Sequence, residues 1–349
     1  MYFIFLGIIF LLVLSLPFLN KKVEKNLEVF FFFMGCLSIV NITVFGGEKV
    51  LNFHSISHFL HEPVMISLAC LIFGLLFYCF QEKIKSSISF FEEKIGLFFP
   101  FLLVTVLGII SSIITAIIAG LIFAEIVYGL HIKRKEKIAF CVIGCFSIGF
   151  GAALTPIGEP LSTIAIAKLK APPYNADFLF LFNLLYPYIF PCIFLLGILG
   201  VFVYKKGRAY LEIEEKQEER KLKKVFIRAG KVYLFVMALL LLGEGFKLFV
   251  NLYIVKISPI FLYFLNISSA ILDNATLTAC EIGPDMEIFQ IKSCLISLLV
   301  SGGMLIPGNI PNIISAERLE IGMRDWAKPG FLIGIPFLIA YFFVLFVLQ

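Results

Sequence analysis

The chain has 349 residues, of which 60% are hydrophobic and only 15% are charged, and its formal net charge is +5. Together with a mean hydropathy of +1.00, this composition excludes a soluble globular domain and predicts an all-α polytopic membrane protein. The basic residues lie in short loops between apolar runs, so the positive charge does not indicate nucleic-acid binding. The eight cysteines form no CxxC motif, and small packing residues are the favoured interpretation.

Residues 1–62 are predicted to form two transmembrane helices, at 2–19 and 29–45, and an exterior loop at 46–62. The first apolar run lacks the basic start and the small-residue cleavage site of a signal peptide, which favours a span. The loop contains three histidines, His54, His58 and His61. Their spacing would allow metal ligands on one helix face, but a wet, partly amphipathic interfacial loop is favoured.

Residues 63–204 are predicted to form a first repeat, in which a basic loop separates the first span from a hairpin. Its elements are a span at 63–80, the hairpin at 96–130, a broken helix at 138–168 and a kinked span at 178–204. The hairpin run is too long for one span of about 20 residues and too short for two full spans with a turn. Basic residues flank both of its ends, so both ends are expected on the cytoplasmic side. A re-entrant hairpin satisfies both constraints, and two short tilted spans are the alternative. The polar residues at its predicted tip are Ser111, Ser112 and Thr115.

The broken helix of the first repeat is predicted to be unwound around residues 149–160. Three glycines and two prolines interrupt an apolar run there, and each proline removes a backbone donor. Free backbone groups at membrane depth are tolerated only where they are buried in protein or line a wet cavity. Thr155, Gly158 and Glu159 lie in this segment, so they are predicted to help bind an ion or a small polar solute.

A charged cytoplasmic linker is predicted at 205–231, where ten Lys or Arg residues accompany five Glu. The second repeat, 232–349, then follows the same order: a span, a hairpin at 254–289, a broken helix at 290–316 and a final span from 330. The sequence LTPIGEP of the first break is echoed by LIPGNIP in the second. Candidate ion or substrate ligands of this half are Ser268, Ser269, Asp273, Asn274 and Thr276 at the hairpin tip, and Gly308, Asn309 and Asn312 at the break.

Asp273 is the strongest of these candidates, because an ionised carboxylate near the bilayer centre is costly unless it is paired, protonated or in contact with water. We expect Asp273 to bind a cation or carry a proton; the alternative is an acid that only pairs with a buried backbone donor. Glu159 has nearly equal weight, and cation binding would compete with a proton if the two shared a cavity. Glu125 and Glu281 are expected near the hairpin ends, where water reaches them, without a role in binding.

The distribution of basic residues predicts the orientation. With the N-terminus outside, 23 of the 29 Lys and Arg residues fall in cytoplasmic loops. Both termini of this multi-pass protein of the cell membrane are therefore expected outside. The same orientation inverts the two halves, so that the first hairpin enters from the cytoplasm and the second from the exterior. Inverted repeats with Gly/Pro-broken segments at corresponding positions are typical of secondary transporters.

Three motifs, at residues 151–164, 268–279 and 302–314, resemble the ion transporter superfamily of NhaD-type sodium/proton antiporters, arsenite permeases and dicarboxylate/sodium symporters. A small, uncharacterised family of archaeal and bacterial proteins assigned as cation transporters is the most similar in size and motifs. The resemblance implies a scaffold with two hairpins and two broken helices, alternating access by movement of the transport part, and frequent dimers. Asp273 and Asn274 match the acid-containing hairpin of the antiporter and arsenite branches. The first tip lacks an acid or Asn, and neither tip has the Ser-Asn-Thr of the dicarboxylate branch.

The sequence thus predicts a secondary active transporter coupled to Na⁺ or H⁺, with a cation antiporter favoured. A cation-driven carrier of an anion or oxyanion, such as arsenite or a carboxylate, is the alternative within transport. A non-transporting membrane scaffold or sensor is the alternative of another class. An enzyme is not expected, because no ATPase motif, haem-ligand pair or HExxH is present. The expected partners are the lipid bilayer, a small ion or solute and a second copy in a homodimer, without cofactor, nucleic acid or metal beyond the coupling ion.

Overall fold

The computed structural model describes residues 1–47, 50, 52–208, 222–253 and 257–348, and in these ranges the regular structure is helical. The helices are α1 (Tyr2–Leu19), α2 (Lys21–Lys25), α3 (Leu27–Phe45), α4 (Phe53–Cys79), α5 (Gln81–Ile95), α6 (Phe98–Ile114), α7 (Ala116–Gly129), α8 (Arg134–Ala152), α9 (Pro160–Leu169), α10 (Phe180–Arg208), α11 (Leu222–Tyr253), α12 (Pro259–Leu265), α13 (Asn274–Glu281), α14 (Ile288–Gly302), α15 (Ile310–Leu319) and α16 (Met323–Phe342). Within the described residues, six helices are long and apolar enough to cross a membrane: α1, α3, α4, α10, α11 and α16. The predicted all-α polytopic membrane fold is confirmed.

The first ten residues of α4, 53–62, lie where the sequence predicted a loop. The helix begins at Phe53 rather than at Pro63, because the Asn52 side chain accepts a hydrogen bond from Ser55 N at 2.8 Å and caps the first turn. The predicted basic loop that follows α4 is also wrong, since it forms the helix α5. Gly96, with a φ of +61°, ends α5 and allows a bend of 114° into α6.

Both hairpins are interrupted at their predicted tips. In the first, Thr115 adopts a φ of +77° between α6 and α7. In the second, α12 continues into a 3-10 turn, Asn266–Ala270, and three irregular residues precede α13. Helix α7 has 14 residues and is about 21 Å long, which is shorter than the hydrocarbon core of about 30 Å. This length favours a hairpin over two full spans.

Both broken helices are interrupted at the Gly/Pro segments. Residues 153–159 separate α8 from α9, and residues 303–309 separate α14 from α15. A proline occupies the first or second position of each following helix, Pro160 in α9 and Pro311 in α15. Proline is tolerated there because the first backbone N–H groups of a helix have no acceptor within the helix. The same residues that end one helix therefore also begin the next.

The packing of the first half is repeated in the second. Helix α9 packs against α13 and α15 packs against α7, so the end of each broken helix lies on the hairpin of the other half. Within its own half, α8 packs against α6, and α14 packs against α12. Helices α3 and α4 both pack against α11, beside this assembly. The inverted orientation of the halves in a membrane stays a prediction.

Both ends of the linker predicted at 205–231 are helical in the structure. Helix α10 continues to Arg208 and α11 begins at Leu222, while residues 209–221 lie outside the described residues. The final span also begins earlier than predicted, at Met323. Its first turn is fixed by Trp326, whose Nε1 donates to the Gly303 carbonyl at 3.3 Å.

Candidate functional site

The hairpin tips meet the breaks of the broken helices. In the first half, Ala116 N donates to the Gly158 carbonyl at 2.8 Å, and the Thr155 hydroxyl donates to the Ser112 carbonyl. In the second half, the Ser269 hydroxyl donates to the α14 carbonyl of Leu298 at 3.2 Å. Each hairpin tip is therefore tied to the broken helix of its own half.

The two halves approach each other at the same place. The Asn309 amide of the second break lies against α8, where a Cβ added at Gly149 would be 2.6 Å from its Nδ2. Only glycine leaves room for that amide. In the second half, Gly308 lies against the Ser269 carbonyl, and an added Cβ would come within 2.9 Å of its oxygen. Glycine thus permits close approach on both sides of the site.

Asp273 is half-buried and is the N-cap of α13. Its Oδ2 accepts hydrogen bonds from Thr276 N at 3.0 Å and from the Thr276 hydroxyl at 3.3 Å. One carboxylate oxygen is therefore engaged in capping, as in the structural alternative considered for this residue. The Thr276 hydroxyl is directed to Asp273 as a donor.

Glu159 is buried at the N-cap position of α9 without a capping hydrogen bond, and its Oε1 has no hydrogen-bond partner. Its charge interacts with that of Asp273. Since α9 packs against α13, the structure brings the carboxyl groups of the two halves into one neighbourhood.

Several other buried polar atoms near the second break lack partners. Both amide atoms of Asn274 are unpaired, and a Cβ at Gly302 would be 2.9 Å from its Oδ1. Asn312 Nδ2 donates to the carbonyls of Gly302 and Leu305 at 2.9 and 2.8 Å, which leaves Asn312 Oδ1 unpaired. The buried Ser301 hydroxyl is also unpaired. Buried polar groups are normally bonded to protein, water or an ion, so this cluster fits a small polar or ionic ligand.

Three of the remaining predicted hydroxyls bond to the backbone. Ser111 donates to the carbonyls of Gly108 and Ile148 at 2.6 and 2.9 Å, and Ser112 donates to Ile109 at 2.8 Å. The Thr115 hydroxyl caps α7. The Ser268 carbonyl accepts from the amides of residues 271 and 272. Such bonds close helix ends and turns, so these four residues shape the tips.

Glu125 and Glu281 are buried, so the expectation that water reaches them is wrong. Only 4% of Glu125 and 6% of Arg318 are exposed. Arg318 Nε and Nη2 lie 2.6 and 2.9 Å from the two Glu125 oxygens, and the guanidinium lies 3.4 Å over the Tyr128 ring. This bidentate pair compensates for the burial of both charges. Arg318 lies in α15, which extends beyond the predicted end of the broken helix at residue 316. Glu281 Oε2 instead accepts from the Cys294 thiol at 3.0 Å.

Two polar residues near the site were missed by the sequence analysis. Ser301 immediately precedes the glycine pair of the second break, which is a signal for its position. Glu62 lies on α4, in a stretch that was predicted to be a loop. Its charge interacts with that of Asp273. Its spacing of four from His58 is the signal that could have identified it. Among the described residues, no three His, Cys, Asp or Glu side chains form a group that could hold a metal ion.

The model of one protein family matches residues 3–348, and its description is "Protein of unknown function (DUF1646)". The chain belongs to this family. No curated protein matches the chain. Both breaks and both hairpin tips of this DUF1646 protein lie within the matched residues, so the site is part of the family's own domain.

Proposed function

We propose that this DUF1646 protein is a secondary active transporter that binds Na⁺ or H⁺ where the two breaks meet the hairpin tips. The observation that carries the proposal is the group of buried polar atoms without partners at the breaks of a polytopic membrane protein. These atoms are Glu159 Oε1, Ser301 Oγ, Asn312 Oδ1 and the two amide atoms of Asn274.

The chemistry of these groups suits a small hard cation. Carboxylate, amide and hydroxyl oxygens are the ligands that such cations prefer. The C-terminal ends of α8 and α14 lie at the breaks, and the partial negative charge of a helix C-terminus favours a cation. Asp273 and Glu159 can each take up a proton when no cation is bound. Competition between proton and cation at these two acids would couple their fluxes, as in the antiporters that the chain resembles.

A cation-driven anion carrier is the second candidate. The N-termini of α9, α13 and α15 lie beside the same breaks, and helix N-termini favour anions. The cation proposal is preferred because Glu159, a buried acid, occupies the N-cap position of α9, directly at that helix end. The acid would repel an anion there.

Flux measurements in proteoliposomes test the proposal. With an imposed Na⁺ gradient and an internal pH dye, the protein is expected to exchange Na⁺ for H⁺. Asp273→Asn is expected to abolish exchange, and Glu159→Gln to raise the Na⁺ concentration at half-maximal rate. Asp285→Asn and Glu93→Gln are matched controls, because both acids are exposed. A correctly folded protein that moves neither ion, with or without a test oxyanion or dicarboxylate, would refute transport and favour the scaffold or sensor.

A further inference from the structure

The first turns of α4 carry a histidine–glutamate pair that the site described above does not include. His58 and Glu62 are one helical turn apart, and His58 Nε2 lies 2.9 Å from Glu62 Oε2. The His58 side chain is 55% exposed and that of Glu62 is 36% exposed, although Glu62 Oε2 itself is buried. The pair thus joins an exposed imidazole to a partly buried carboxylate.

Glu62 lies on a helix that packs along the same face of α11 as the tip of the second hairpin. Along this antiparallel pair, Gly74 faces Val225, and Ile66 and Cys70 share an apolar cluster with Val232 and Val236. From Ile66, one further turn along α4 leads to Glu62; from Val236, two further turns along the same face of α11 lead to Gly243.

At Gly243, α11 meets the tip of the second hairpin. A Cβ added at Gly243 would lie 2.7 Å from the Thr276 methyl carbon, and Thr276 is hydrogen-bonded to Asp273. The charges of Glu62 and Asp273 interact, as those of Asp273 and Glu159 do. Three acids from three different helices therefore follow one another from α4 to α9.

We propose that Glu62, with His58, is a further binding position for the transported cation or proton, between the exposed end of α4 and the acids Asp273 and Glu159. The proposal rests on the proposed transport function and extends its site to a helix outside the hairpins and broken helices. The three acids do not form one coordination shell, because no group of three metal-binding side chains is present among the described residues. They are successive binding positions along the way from α4 to α9.

Each position has a chemical role. The imidazole of His58 can accept a proton on one nitrogen and release one from the other. The Glu62 carboxylate holds either the proton received from His58 or a monovalent cation, and passes it to Asp273 without any change in covalent bonding. A neutral side chain at position 62 removes the negative charge that attracts a cation towards the break.

The single tryptophan allows transport and binding to be measured separately. Trp326 Nε1 is hydrogen-bonded to Gly303 at the second break, so its fluorescence should report cation binding at the inner acids. In full-length protein, Glu62→Gln and His58→Gln are expected to lower the Na⁺ flux about tenfold or more. The Na⁺ concentration that half-saturates the Trp326 signal is expected to change less than the flux.

Neighbouring residues provide the controls. His61→Gln replaces an exposed histidine one turn from His58, and Glu93→Gln replaces an exposed glutamate; both are expected to keep the wild-type flux. If Glu62→Gln does not fold, Glu62→Asp keeps the charge and moves it by one methylene, and is expected to fold and to transport more slowly.

The outcomes separate this proposal from the proposed function. Normal flux in folded His58→Gln and Glu62→Gln would overturn the role of the pair while leaving transport through Asp273 intact. An equal loss in His61→Gln would also overturn it, because His61 is not the partner of Glu62. A wild-type protein that neither transports nor binds Na⁺ or H⁺ would refute the proposed function itself.

Discussion

Replacing Glu125 by Gln is expected to destabilise the protein more than replacing Arg318 by Met. Glu125 lies between two arginines: it forms the bidentate bond to Arg318, and Arg228 Nη1 lies 3.8 Å from its Oε1. Without Glu125, two guanidinium groups lose their shared counter-charge. Without Arg318, the Glu125 carboxylate still has Arg228 beside it.

The magnitude follows from the burial of the pair. Removing one partner of a buried ion pair costs about 3–5 kcal/mol, and we expect Glu125→Gln to fall in that range. Arg318→Met should cost less, although it also loses the contact over the Tyr128 ring. The double variant Glu125→Gln/Arg318→Met should be more stable than the sum of the single effects predicts, because it no longer leaves Arg318 unpaired.

Denaturant unfolding in detergent micelles, followed by the Trp326 fluorescence, would measure these differences. The exposed pair of Lys247 and Glu244, with 3.0 Å between nitrogen and oxygen, is the control; Lys247→Met should cost less than about 1 kcal/mol. Additive effects of Glu125→Gln and Arg318→Met, or a cost for both near that of Lys247→Met, would refute the reasoning.

Three further predictions concern the breaks and the topology. Gly158→Ala should abolish transport, because an added Cβ would overlap the α8 backbone. Gly230→Ala, with open space around it, should instead raise the stability of the folded protein by about 0.5–1 kcal/mol, measured in a melting curve. Saturating Na⁺ should change the Trp326 fluorescence, and Asn274→Ala should raise the required Na⁺ concentration; an unchanged titration would remove Asn274 from the site. A cysteine at Asn175 in a Cys-free protein should react only with an external impermeant reagent; labelling only from the cytoplasmic side would contradict the inverted repeat.

The positions of the breaks could be predicted because the signal is local. Pro160 and Pro311 each remove a backbone donor, and Gly158 and Gly308 accept close backbone contacts that other residues would obstruct. These properties need no knowledge of the rest of the chain. The tip at Thr115 was found for a similar reason, since a few polar residues interrupt a long apolar run.

The features that were missed depend on partners far away in the chain or on a single capping residue. The burial of Arg318 depends on Glu125, 193 residues earlier, so no local pattern indicates it. The start of α4 depends on the Asn52 cap. The histidines that follow suggested a solvated loop rather than a helix. Helix α5 was not predicted, because its charged residues suggested a loop. The helix nevertheless has an apolar face, which buries Ile88.

The short helices α9 and α15 set how deep the breaks lie in a bilayer. Each has ten residues and is about 15 Å long, half of a hydrocarbon core of about 30 Å. Each carries a basic residue in its last turn, Lys168 or Arg318. A bilayer with shorter acyl chains would bring its surface closer to the inner ends of both helices, while one with longer chains would require tilting or local thinning. In the proposed transporter, the distance that an ion would travel to the acids is therefore set jointly by the protein and the lipid around it.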